Sequence, residues 1–131
     1  MRLFRKKNKK KEVFWVKSIA VDPETMVDPH TAEEYARRGI AFYARQQYER
    51  AERDLRAATA LEPEMVDGHY GLGLVLKAAG DRDGSRQAFE QVMALIQGKH
   101  MEADRARMLD VLAQGHLRQL DGKAGRMGEE Q

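Results

Sequence analysis

The chain matches itself at an offset of 34 residues, and that period restricts its possible folds more than any other feature. Pro29 falls on Pro63, Gly39 on Gly73, Ala44 on Ala78 and Leu61 on Leu95. Like pairs fill the same register: Asp28 with Glu62, Val27 with Leu61, Ile40 with Leu74, Phe42 with Leu76 and Leu55 with Phe89. A unit of this length cannot bury its apolar face alone, so it must stack on a neighbour.

Each window carries helical spacing twice, with a break between. In the first, Tyr35, Gly39, Phe42 and Tyr43 share one side of a helix over about 31–45, and Asp28, Pro29 and the Thr31-x-x-Glu34 box mark its start. Gln46 and Gln47 make a turn. Tyr48, Ala51, Leu55, Ala58 and Leu61 then form the stripe of a second helix that stops before Pro63, because proline has no N–H and restricts the residue ahead of it. The second window repeats the plan: a helix over about 64–79, the turn Gly80-Asp81, and a helix over about 83–96 with Gly98 as its stop. A fifth helix over about 100–120 carries Leu109, Leu112, Ala113, Leu117 and Leu120 on one face and charge on the other, which suits the end of a stack.

The chain therefore divides into a basic arm and linker (1–28), a helical domain (29–120, with repeats at about 29–63 and 64–97 and a last helix at about 100–120) and a flexible C-terminal tail (121–131). Its 131 residues suit one domain, and 34% charged residues imply a thin core under a solvated surface. The absence of cysteine excludes disulfides, zinc–thiolate sites and thiol nucleophiles, and a reducing cytoplasm is the expected location. The best apolar run, Val13 to Val21, contains Lys17 and is too short to span a membrane; a secretory signal is not expected either.

The order of residues in the two windows resembles the tetratricopeptide repeat (TPR), W-x2-L-G-x2-Y, then A-x3-F, then P. The first repeat reads Tyr35, Arg38, Gly39, Phe42, Ala51, Leu55, Ala58, Pro63, and the second His69, Leu72, Gly73, Leu76, Ser85, Phe89, Val92. Two antiparallel helices approach closely only where one lacks a bulky side chain, a role that falls to Gly39 and Gly73 with Ala51 and Ser85 opposite. The departures are Arg38 where leucine is usual, Gln97 where proline is usual, and a third helix too divergent to count as a repeat. The resemblance implies an all-α, TPR-like stack of two antiparallel helix pairs with a capping helix. Two repeats fall short of the usual three, so support is expected from the capping helix, the N-terminal segment, self-association into a homo-oligomer or a partner.

The resemblance also implies a concave groove that binds a peptide or helix of a protein partner. Its lining transfers to Glu33, Ala36, Arg37, Ile40, Tyr43, Ala44, Asp67, Tyr70, Leu74 and Lys77, of which Arg37, Ile40, Tyr43, Tyr70, Leu74 and Lys77 are the chosen binding residues. Ile40, Tyr70 and Leu74 read equally as core, since edge and core positions alternate closely on a helix. The carboxylate clamp of chaperone-binding relatives needs lysine and asparagine at places held here by Ala36, Ile40 and Leu74, so that ligand is not expected.

No nucleophile–base pair, cofactor loop or metal set stands out, and a non-enzymatic adaptor or scaffold without cofactors is the expected class. His30, His69, His100 and His116 have no i,i+3 or i,i+4 partner and read as surface or helix-end residues. Residues 1–17 hold eight Lys/Arg against one acid, a charge of +7, whereas 18–131 carry −5. Arg2, Arg5, Lys6, Lys7, Lys9, Lys10, Lys11 and Trp15 suit an anionic membrane surface, which would make the protein peripheral to the membrane. Nucleic acid, RNA first, is the alternative contact, and a solvated tail is the plainest. A further variant has Val13 to Val21 folding back into the repeat groove until a partner displaces it.

Overall fold

The computed structural model describes residues 15–98 and 101–129, with side chains to residue 122. Among these the chain is all-helical: a helical stretch at 15–20, a 3-10 turn at Pro23–Thr25, and then α1 (Ala32–Ala44), α2 (Tyr48–Leu61), α3 (Val66–Ala79), α4 (Arg82–Gly98) and α5 (Ala103–Glu129). Each helix packs on the next, and α1 also meets α3, so the pairs α1/α2 and α3/α4 stack in the TPR manner with α5 closing the end.

The ends follow the chemistry of the sequence. The Thr31 hydroxyl accepts from the Glu34 N–H at 3.1 Å and caps α1, while Glu33 and Glu34 oppose the helix dipole. Asp81 does the same for α4, its Oδ1 accepting from the Gly84 N–H at 2.9 Å. Gln46 (φ 61°) and Gly80 (φ 89°), one period apart, both turn the chain through the left-handed region, which only the glycine enters without strain. α5 runs through Glu129, past the boundary expected at Leu120: the tail has no proline to stop it, and Lys123, Ala124, Arg126 and Met127 are sound helix formers.

Two cores result. Ala36, Phe42, Ala51, Leu55, Ala58, Leu72, Val75 and Leu76 join the first pair to the second. Val66, Phe89, Val92, Leu109, Ala113 and Leu120 join the second pair to α5. Leu112, placed by its spacing on the buried face of α5, is instead 41% exposed. An added Cβ on Gly39 would lie 2.8 Å from Leu55 Cγ, and one on Gly73 2.8 Å from the Phe89 ring, so both glycines are required by close approach. Ala51 is fully buried opposite Gly39, and the buried Ser85 hydroxyl donates to the Gly73 carbonyl at 2.8 Å. Pro63 is exposed; its carbonyl meets His69 Nε2 at 2.8 Å.

Arg38 departs from the repeat pattern for a visible reason. Its Nε and Nη2 each donate to Asp54 at 2.8 Å, a bidentate pair across α1 and α2, and Nη1 donates to the Met26 carbonyl at 2.8 Å. Asp54 is buried, so the pair stands where an apolar contact would otherwise lie and also ties the linker down. Arg50 holds the same linker through Glu24 and sits over the Phe42 ring at 4.2 Å.

Candidate protein-binding groove

α1 and α3 present their repeat-equivalent residues to one face: Glu33 with Asp67, Ala36 with Tyr70, Arg37 with Gly71, Ile40 with Leu74 and Tyr43 with Lys77. Ala36 and Ile40 are 0% and 1% exposed, and Ala36 belongs to the core between the helix pairs.

Residues 15–21 lie over this face. The Trp15 indole N–H donates to Asp67 Oδ1 at 3.3 Å, and its ring meets Tyr70 edge to face with centroids 5.9 Å apart. A Cβ on Gly71 would sit 3.5 Å from Trp15 Cη2, so the ring rests directly on the α3 backbone. At the other end of the segment the Val21 carbonyl accepts from Arg45 Nη1, just past α1, at 2.8 Å. Ser18, between these anchors in sequence, is fully buried. The segment thus runs from the start of α3 to the end of α1.

α5 closes the other flank. Arg105 pairs with Asp67 at 2.7 Å, so one carboxylate receives both Trp15 and Arg105. His116 stacks on Phe89 at 4.7 Å and 7° between planes. Lys77 Nζ lies 3.0 Å from His116 Nδ1 and also meets Gln119. An ammonium can only donate, so Nδ1 accepts, and the neutral ring carries its proton on Nε2, 3.3 Å from the Tyr70 hydroxyl oxygen. Burial, and then the Lys77 charge, hold the His116 pKa below its ordinary value. Burial raises the hydroxyls of Tyr70 and Tyr43. Tyr70 is the hub of the face, in contact with Trp15, Phe89 and His116.

The six chosen groove residues therefore divide. Ile40 is core. Leu74 packs against the second core and Tyr70 receives Trp15. Tyr43 lies 6.0 Å from Tyr48, Arg37 is paired with Glu33 at 3.0 Å, and Lys77 is turned onto α5. Arg2, Arg5, Lys6, Lys7, Lys9, Lys10 and Lys11 lie outside the described residues, as does His100. His116, read from sequence as a surface residue, is half-buried and stacked; its ring partner Phe89 stands far away in the chain, so no short spacing could announce it. Arg105 was equally hidden among charges assigned to the solvent face. Among the described residues no cluster of three His or acidic groups could hold a metal ion.

Paired helices that each pack on the next, with close-approach glycines one period apart, define a helical-repeat protein. A family model described as TPR repeat matches residues 39–80, from the middle of α1 through α3, so this part of the chain is similar to a TPR repeat. No curated protein matches the chain. TPR repeats are protein-interaction modules, and this supports a general protein–protein interaction role for the chain.

Proposed function

We propose that the protein is a non-enzymatic adaptor whose concave face takes a short helical or extended segment of a partner, anchored by an aromatic residue. Residues 15–21 of its own chain occupy that place until the partner arrives. The supporting observation is the seat of Trp15 on Asp67, Tyr70 and Gly71, which matches a partner's aromatic anchor with a single hydrogen-bond donor. A tethered occupant competes at an effective concentration that reaches about millimolar for short connections, so only a partner of good affinity or high abundance displaces it.

The test uses a fluorescently labelled peptide of residues 12–22 and the full chain in two forms. Trp15→Ala vacates the anchor site, and this variant is expected to bind the peptide at least about tenfold more tightly than the wild type, whose site is filled. Adding Tyr70→Ala should remove that gain. Equal, weak binding by Trp15→Ala and wild type would contradict the reading.

Seating Trp15 in the groove takes its ring away from headgroups and bases. We infer that any anchoring by the arm is electrostatic, through Arg2 to Lys11, with an anionic membrane surface favoured over RNA and a peripheral cytoplasmic location. Among the described residues no helix is long and apolar enough to cross a membrane. Cosedimentation of the full chain with anionic vesicles that is lost at high salt supports this arm contact, and preference for short RNA reverses the order.

A further inference from the structure

α5 covers the last repeat with Leu109, Ala113 and Leu120, yet its opposite face is also patterned. Asp104, Met108, Val111, Gly115, Arg118 and Gly122 follow one another at alternating steps of four and three residues, the spacing of a seam between two paired helices. Met108 is 54% exposed and Val111 60%, with Leu112 on their flank at 41%. Glycine is a poor helix former, and an added Cβ on Gly115 or Gly122 would meet nothing within 4 Å. Among the described residues no close packing calls for these two glycines. A helix approaching from outside would use both.

We propose that α5 pairs antiparallel with α5 of a second copy of this chain. The charges at the two ends of the seam select that occupant and that direction. Exposed Asp104 stands one heptad before Val111 and exposed Arg118 one heptad after it. A parallel pair would set Asp104 on Asp104 and Arg118 on Arg118. An antiparallel pair with its two-fold near Ala113 seats Val111 against Gly115 of the second copy and lays the Arg118 stem over Met108. It also brings each Arg118 within about one turn of the opposite Asp104, close enough for its long side chain to reach. The contact is isologous and closes on itself, so it yields a dimer and not a filament. One helix face lies at the small end of specific interfaces, and the association is concentration-dependent.

Charge reversal tests both partner and direction. Asp104→Arg and Arg118→Asp are made separately in the full chain, with helicity checked by circular dichroism. Mass is followed by sedimentation from about 10 to about 500 µM, a range set by the small interface. The wild type is expected to shift from monomer to dimer across this range. Each single variant sets like charges against each other and is expected to stay monomeric, whereas an equimolar mixture of the two restores opposite charges at both ends and dimerises. A wild type that remains monomeric overturns the proposal. So do single variants that dimerise as well as the wild type, or a mixture that fails to dimerise when the wild type does.

Discussion

At position 38 the repeat pattern calls for leucine and the chain has arginine, and the consequence is local and measurable. Arg38 compensates Asp54, which is 3% exposed; with Leu at 38 that carboxylate would be buried without its cation. Arg38→Leu, although it restores the usual residue, is expected to cost about 3 kcal/mol in urea unfolding, and adding Asp54→Ala should recover most of it. Additive losses would contradict this coupling. The departure was visible in the sequence, but its reason was not, because the acid that answers it lies sixteen residues away on another helix. His116 gives a second prediction at this scale. Its folded pKa lies below the ordinary 6.5 that it regains on unfolding, so below 6.5 the unfolded chain binds more protons. The contribution is fully present above 6.5 and is lost as the pH falls from there toward the folded value. Urea midpoints across that window should decline more steeply for the wild type than for His116→Gln, and parallel slopes would count against the buried neutral imidazole.

The helices were legible where their stops are chemical. Thr31 with Glu34, Leu61 before Pro63, and Gly80 each fix an end by a cap, a missing donor or a left-handed turn, and the sequence states all three. α5 has no such terminator, so its apolar spacing marks how far it is buried and says nothing of how far it stays helical. The close-approach glycines were legible because they recur one period apart. Gly73→Ala would drive a methyl group to 2.8 Å from the Phe89 ring, and about 1–3 kcal/mol of stability is expected to be lost to overpacking. Thermal unfolding of the variant checks this, and an unchanged midpoint would mean that α3 and α4 approach less closely than described.

At the scale of the whole molecule, the stack and its capping helix follow from period and amphipathic pattern, whereas the occupancy of the groove does not. Ile40 reads as groove or core from spacing alone and is 1% exposed, while the segment seated on Tyr70 and Gly71 comes from far upstream and has no repeat of its own. The N-terminal segment packs on Tyr70 and on the α3 backbone at Gly71, and that added contact lessens the deficit left by two repeats. Trp15 is held against Tyr70 and Asp67, and the chain supplies its own probe of that seat, since it contains one tryptophan. The decisive measurement is emission and acrylamide quenching of Trp15 in the full-length protein, native and in urea. Blue-shifted native emission with restricted quenching, moving to the red and becoming freely quenched only as the helices unfold, is the predicted result; native emission already at the position and quenching rate of free tryptophan would contradict a groove filled by its own chain.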